Sequence, residues 1–325
     1  MTAVIPNWNG SALLAKVLED LRNQTLAIEE VIVVDNGSTD DSVAVAERGG
    51  ARVIEMRRNA GFGPAVNAGI RAGSGEWILI LNNDVELGAA WLATLLERAE
   101  SRGASFACGK LLDARHPERI DAAYDAVSRG ACAWRCGSGR LDGPEWNRER
   151  AIRMAPLTAA LFRAEVFERV GLLDEEFESY LEDVDFGIRC SVAGMSGIYV
   201  PDAAGFHYGS ATLGYWHPET ARRIARNQLL LVARHYPPGW MWRYGWAVMM
   251  GQALWGLLAL KHGRGWAFLR GKWEGLVLLA RSRRPQSVEL ADKLHQILVE
   301  SENEILRLQK STGYDAYWRS YFALT

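Results

Sequence analysis

The sequence predicts an α/β protein: a doubly wound sheet over residues 1–220, followed by a helical C-terminal extension over 221–325. Two patterns carry this. In the first hundred or so residues, short apolar runs alternate with amphipathic segments, and Asn or Asp closes each successive run. Beyond Thr220 the alternation stops, and long segments of helical character run to the end.

Val4–Pro6 is a short apolar strand. Ser11 can cap a helix in which Leu14, Val17, Leu18 and Leu21 share one face. Val31–Val34 is a continuous β-branched run, as expected of a strand covered on both faces of a parallel sheet. Asp35-Asn36-Gly37-Ser38 closes it, and Asp40-Asp41 opens the next helix with negative charge where the helix dipole favours it. Arg52–Glu55 reads as a third strand, Gly63–Ala72 as a helix and Trp77–Leu81 as a fourth strand. Residues 108–154 are irregular, glycine-containing and scattered with charge, and read as a variable region over the site. Ala155–Val170 reads as strand then helix, and Asp183–Ala193 as a helix. The last long helix runs over 287–310, with Leu290, Leu294, Ile297, Leu298, Ile305 and Leu308 on one stripe that packs on the rest of the protein.

With 325 residues the chain can bury a substantial core, and a net charge of −2 gives no general case for nucleic acid as a partner. Cys108, Cys132, Cys136 and Cys190 show no pairing pattern or zinc-ligand spacing, and read as reduced thiols. The first residues read directly as a strand, without the basic and apolar regions of a signal peptide, so the expected location is cytoplasmic. Charge is unevenly spread: residues 222–284 hold twelve Lys/Arg and one acid, Glu274, together with six of the thirteen tryptophans. Tyr244–Leu260 is apolar but interrupted by Gln252, and Trp266–Leu279 is broken by Arg270, Lys272 and Glu274. Such segments, about 240–285, are read as helices lying in the inner-leaflet interface rather than crossing it or forming a soluble bundle.

In doubly wound sheets ligands bind beyond the carboxyl ends of the strands. There stand Asn7 and Asn9, Asp35, Asn59 and Asn82-Asn83-Asp84. A carboxylate at such an end can hold a divalent cation against a diphosphate, and a second carboxylate from Glu182-Asp183-Val184-Asp185 can deprotonate an incoming hydroxyl. No Gly-Lys-Ser/Thr loop for phosphate is present, and no Ser/His or Cys/His nucleophile arrangement is apparent.

The ordered set Val4-Ile5-Pro6-Asn7-Trp8-Asn9, Val33–Asp40, Asn59-Ala60-Gly61-Phe62-Gly63, Leu81–Asp84, Leu181–Asp185 and Pro201-Asp202-Ala203 leading to His207 resembles family 2 glycosyltransferases with the GT-A fold. It is most similar to the rhamnosyltransferase-like branch that builds bacterial surface polysaccharides, and the resemblance covers roughly residues 2–240. It implies donor binding by Pro6, Asn7, Asn9, Asp35, Asn59, Gly61, Gly63, Asn67, Asn82, Asn83 and Asp84, with Asp35 on the base or ribose. It implies Asp84 and His207 as ligands of Mg²⁺ or Mn²⁺, although Asn82 replaces the first acid of the fuller Asp-x-Asp motif. It implies Asp183 as general base, with Glu182 or Asp185 orienting the acceptor. Arg222, Arg223 and Arg226 are candidates for the diphosphate of a polyprenyl-linked acceptor. The implied reaction is an inverting, metal-dependent transfer of a sugar, L-rhamnose by resemblance, from a dTDP- or UDP-sugar to a glycan or polyprenyl-diphosphate acceptor. A processive synthase would require several clear spans and a Gln-x-x-Arg-Trp motif, and a nucleotidyltransferase a glycine-rich start; neither is present. An inactive membrane scaffold is disfavoured by the retention of Asp35, Asp84, Asp183 and His207.

Overall fold

The computed structural model describes residues 1–209, 216–237, 239–281 and 288–325. Two compact units emerge: a sheet unit, Met1–Tyr124 with Gly137–Thr212, and a helical unit, Asp125–Cys136 with Leu213–Thr325. The chain therefore leaves the sheet unit after Tyr124 and re-enters it at Gly137.

The sheet unit opens with β1 (Thr2–Asn7), α1 (Ser11–Arg22), β2 (Glu30–Asp35), α2 (Ser42–Arg48), β3 (Arg52–Glu55), α3 (Phe62–Ala72) and β4 (Trp77–Leu81). The order β4-β1-β2-β3 is all parallel, with Asn7 opposite Asp35 and Asp35 opposite Glu55. Alternate residues feed opposite faces. Ala3, Ile5, Val33, Leu79 and Leu81 join Leu14, Val17, Leu18 and Leu21 of α1 in one buried cluster. On the other face α3 lies so close that a Cβ on Gly69 would stand 2.3 Å from Val4 Cγ1.

The sheet continues through β5 (Val85–Leu87), α4 (Trp91–Ser101), β6 (Phe106–Asp113) and β7 (His116–Ala122). After the excursion into the helical unit come β10 (Arg150–Ile152), β11 (Ala159–Arg163), α5 (Ala164–Val170), α6 (Glu182–Val192) and β12 (Gly197–His207); β8 (Asp125–Val127) and β9 (Ala133–Arg135) form the excursion itself. The strand order is β10-β12-β6-β11-β4-β1-β2-β3, with β5 on β12 and β7 on β6.

Residues 108–154 are thus not an irregular cover: β6 is a central strand between β12 and β11. Gly109 and Lys110 break its apolar run for reasons visible only in three dimensions. A Cβ on Gly109 would meet the Ala203 carbonyl at 2.0 Å. Lys110 is buried because its ammonium reaches Asp142 at 2.8 Å and Asn147 at 2.6 Å.

In the helical unit, α7 (Pro218–His235), α8 (Trp240–Lys261), α9 (Gly265–Arg281), α10 (Val288–Thr312) and α11 (Ala316–Leu324) follow one another. The expected first residue of the long terminal helix, Ser287, lies outside the described residues. Leu294, Ile297, Leu298, Ile305 and Leu308 of α10 are buried. Gly271 and Gly275 let α9 meet the backbone of α7, where added Cβ atoms would stand 2.1 Å from the Arg222 carbonyl and 2.8 Å from that of Arg226. Among the described residues no helix is long and apolar enough to cross a membrane.

Candidate active site

The carboxyl ends of β1, β2 and β4 lie along one edge of the sheet, and the candidate donor residues follow from that register. Asp35 ends β2; its Oδ2 accepts the Ser38 N–H at 2.9 Å, while Oδ1 is buried with no hydrogen-bond partner among the described residues. The buried Asn82 Oδ1 has none either. Buried acceptors are normally paired, and two orphans at one sheet edge are atoms that a donor-bearing ligand would satisfy. Asn7 Oδ1 takes the Asn83 amide at 2.6 Å, tying the ends of β1 and β4 together. Pro6 stands beside it, opposite Val34 in the ladder. Asn9, at φ +49°, accepts the Thr39 N–H at 2.8 Å and fixes the turn after β2.

The segment before α3 is held against that edge. Asn36 donates to the Gly61 carbonyl at 2.9 Å and accepts the Ala60 N–H at 2.9 Å, and the Asn59 side chain receives the Gly61 N–H at 3.0 Å. Gly61 has φ +102°, and a Cβ there would stand 2.6 Å from the Glu178 carbonyl, so only glycine fits. Gly63 N–H bonds that same carbonyl at 2.9 Å, and Phe62 N–H bonds Ser179 Oγ at 3.0 Å. Asn67 is not brought to the open edge. It is 0% exposed, accepting the Leu173 N–H at 3.0 Å and donating to the Leu173 carbonyl and Glu175.

These contacts carry the strand edge directly to the residues preceding α6. There Glu178, Tyr180 and Leu181 take positive φ values of 59°, 73° and 67°, a cluster of strained backbone unusual for side chains of this size. It turns the chain so that Glu182, Asp183 and Asp185 occupy the first turn of α6, where the dipole favours negative charge. Asp183 is half-buried, and its Oδ1 accepts the Val184 N–H at 2.8 Å. Asp185 is 1% exposed and is held by Arg189 Nε at 2.8 Å, and Glu182 is buried beside it.

Asp84 and His207 meet because β5 pairs antiparallel with the end of β12, Val85 opposite His207. Tyr208 N–H closes the pair on the Asp84 carbonyl at 2.9 Å. Register is set upstream, where three extra residues on β12, Pro201-Asp202-Ala203, bulge between the pairs Val200–Gly109 and Ala204–Lys110. His207 Nε2 lies 3.2 Å from Asp84 Oδ1, and Nδ1 lies 2.8 Å from Asp121 Oδ2. Burial by itself would lower the imidazole pKa, but the hydrogen bonds to Asp121 and Asp84 outweigh it and raise it to about 9.

Among the described residues no group of three His, Cys, Asp or Glu side chains is arranged to hold a metal ion. Asp84 and His207 supply one oxygen and one nitrogen. This suits Mg²⁺ or Mn²⁺ bound mainly by diphosphate and water, since such ions take few protein ligands. The residues present therefore fit the group.

The candidate acceptor arginines belong to the helical unit. Arg222 pairs with Glu219 at 2.8 Å and with Glu274, Arg223 reaches Glu219 at 4.0 Å, and Arg226 is buried against the Asn227 side chain. Two residues of the sheet edge escaped the sequence reading as site residues. Asn36 lay within a recognised motif but showed its role only through the 59–61 contacts. Asp121 carries no local signal, since it reaches His207 from β7 across the intervening strand β6.

The family model for glycosyl transferase family 2 matches residues 2–171. The N-acetylglucosaminyl-diphospho-decaprenol L-rhamnosyltransferase of Mycobacterium tuberculosis is 28% identical over 297 residues, spanning 80% of this chain and 92% of that protein. Among solved structures, GalNAc-T7 with UDP, GalNAc and Mn²⁺ superposes with a TM-score of 0.58 at 15% identity, over 78% of this chain and 51% of that one. A mannosyltransferase from Pyrobaculum calidifontis in complex with GDP-Man and Mn²⁺ gives 0.53 at 17% identity, over 99% and 85%. The mixed sheet with its helices is the GT-A fold that the motifs imply, and the chain belongs to glycosyl transferase family 2.

Proposed function

We propose that this glycosyltransferase moves L-rhamnose from a nucleoside-diphosphate sugar to a polyprenyl-diphosphate-linked sugar in one inverting displacement. The observation that carries the reading is the sheet edge itself: Asp84 and His207 meet at 3.2 Å, and at the ends of β2 and β4 Asp35 Oδ1 and Asn82 Oδ1 are buried with no partner among the described residues. In this reading Asp35 accepts from the base or ribose of the donor, and the Asn36-clamped loop at Asn59–Gly63 lines the nucleotide. Asp84 and His207 would hold a divalent cation, whose positive charge would stand against that of the departing diphosphate. Asp183 removes the proton of the acceptor hydroxyl, with Glu182 and Asp185 shaping the acceptor pocket. The relative from M. tuberculosis supports rhamnose and a lipid-linked acceptor by its name.

The same reading extends to a membrane surface. Trp242, Trp246, Met249, Leu257 and Leu260 form one exposed stripe on α8, and Trp266, Leu269, Trp273 and Leu276 another on α9. Stripes of this kind flanked by Arg243, Lys261 and Arg270 match the interfacial helices that rest on anionic lipid, where polyprenyl-linked acceptors reside.

The test is nucleotide release across UDP-, dTDP- and GDP-sugars, with Mn²⁺ or EDTA, and with or without a short-chain polyprenyl-diphosphate N-acetylglucosamine. Metal-dependent release that needs dTDP-rhamnose and the lipid acceptor is expected. Release with another donor moves the specificity, release insensitive to EDTA removes the metal, and donor binding without release from any pair supports the scaffold.

A further inference from the structure

The side chain on the far side of His207 has no assigned role. Asp121 is buried, as are His207 and Asp84, and the three form a line of carboxylate, imidazole and carboxylate. Its position depends on a local defect in the sheet. Leu111 pairs with Ala122, yet Leu112 pairs with Ile120, so Asp121 is an extra residue on β7. A regular strand turns alternate residues to opposite faces. Here Ile120, Asp121 and Ala122 are all buried in succession. The neighbouring strand β6 lies between β7 and β12, with Leu112 opposite Phe206 and Asp113 opposite His207. The bulge is thus the device that lets a carboxylate from β7 reach an imidazole on β12, and bulges recur where a side chain must be re-aimed beside a site.

We infer that Asp121 is a positioning residue: it accepts the Nδ1–H of His207 and so presents the Nε2 lone pair to a divalent cation shared with Asp84. The inference rests on the metal reading above. A histidine that ligates a metal through one ring nitrogen needs the other to carry the proton and to be held, and a carboxylate does both. Asp121 is the group at Nδ1, at 2.8 Å, and Asp84 is the group at Nε2, at 3.2 Å, so the two nitrogens face different tasks. An amide at 121 would present a donor as readily as an acceptor. It would then permit the opposite tautomer, in which Nε2 carries the proton and cannot ligate.

The experiment titrates the full chain with Mn²⁺, alone and with dTDP, by electron paramagnetic resonance. Electron spin-echo modulation reports whether a nitrogen ligates the ion. Wild type, His207→Ala, Asp121→Asn and the double variant are compared, with circular dichroism as the check on folding. Wild type is expected to show a ¹⁴N coupling that His207→Ala abolishes. Asp121→Asn should weaken Mn²⁺ binding by about 10–100-fold. In the His207→Ala background the same substitution should change affinity less than twofold, because Asp121 acts through the imidazole. Equal weakening with and without His207 would mean a merely structural role and overturns the inference, as does wild-type affinity in Asp121→Asn when His207→Ala is impaired. Wild-type protein that binds no Mn²⁺, or binds it without nitrogen coupling, overturns the metal reading and this inference with it. Should Asp121→Asn fail to fold, Asp121→Glu, which displaces the carboxylate by one methylene, carries the same comparison.

Discussion

On the proposed reading His207 would have two roles, metal ligand and charged member of a buried cluster, which a chelator would separate. It is clasped by Asp121 and Asp84, and these contacts raise its pKa to about 9, above the ordinary 6.5. A group whose folded pKa is raised adds stability that is complete below its unfolded pKa and vanishes as pH rises through its folded one. Chelator-treated protein should therefore lose on the order of 3 kcal/mol between about pH 6.5 and 9. Urea denaturation across that range reads the slope, and His207→Gln should flatten it. Asp183 differs in kind, since its proposed work is on the substrate and not on the fold. It is half-buried at the head of α6, and its Oδ1 is fixed by the Val184 N–H. Replacing it with Asn keeps the shape and removes the base. Turnover should fall by about 10²–10⁴-fold, the usual cost of a lost general base, while donor affinity measured by calorimetry stays within a few-fold. Turnover near that of wild type would remove the assignment.

At the scale of elements, close packing of α3 on the sheet makes a sharp demand at Gly69. A Cβ there would stand 2.3 Å from Val4 Cγ1 and 3.2 Å from Val34 Cγ2, and both valines belong to strands that cannot retreat. Gly69→Ala should destabilise the protein by about 1–3 kcal/mol through overpacking, despite the better helix propensity of alanine, as a lowered urea midpoint with unchanged slope would show. The same packing explains which elements were legible. β2 and β4 could be read because a parallel strand covered on both faces is apolar throughout, as Val31–Val34 and Trp77–Leu81 are. α1 was legible from the spacing of Leu14, Val17, Leu18 and Leu21, all buried. β6 was not, because its Gly109 and Lys110 answer to Ala203, Asp142 and Asn147, residues far along the chain. The candidate site divides the same way. The strand-end residues Asp35 and Asp84 follow from local pattern, whereas Asp121 depends on a bulge, and no stretch of sequence announces a bulge. Asn67 shows the converse, a motif residue that the fold employs to hold the 173–175 segment.

On the scale of the whole molecule, a chain of net charge −2 concentrates basic residues in one region, with twelve Lys/Arg against one acid over 222–284. The single acid, Glu274, is paired with Arg222 and Arg270 and offsets one of those twelve positive charges. Exposed tryptophans stand in that region: Trp242 is 97% exposed, Trp266 82% and Trp273 70%. Leaving large aromatic rings in water forgoes roughly 1.5–3 kcal/mol per side chain, which is the ground for the proposal that this face docks on a partner. A second protein would satisfy the apolar rings, but the basic surroundings favour an anionic lipid surface, whose attraction falls as salt screens it. Wild-type protein should cosediment with phosphatidylglycerol-containing vesicles, more weakly with phosphatidylcholine alone, and more weakly still as salt rises. Trp266→Ala with Trp273→Ala removes two rings from the α9 stripe, and about 1.4 kcal/mol corresponds to each tenfold in affinity. The pair should weaken vesicle binding by about tenfold or more. Both side chains point to solvent, so turnover on a short-chain soluble acceptor should be unchanged. Turnover on a long-chain acceptor embedded in the same vesicles should fall with binding. Vesicle affinity equal to wild type in that variant would assign the face to another partner and detach the membrane from the transfer reaction.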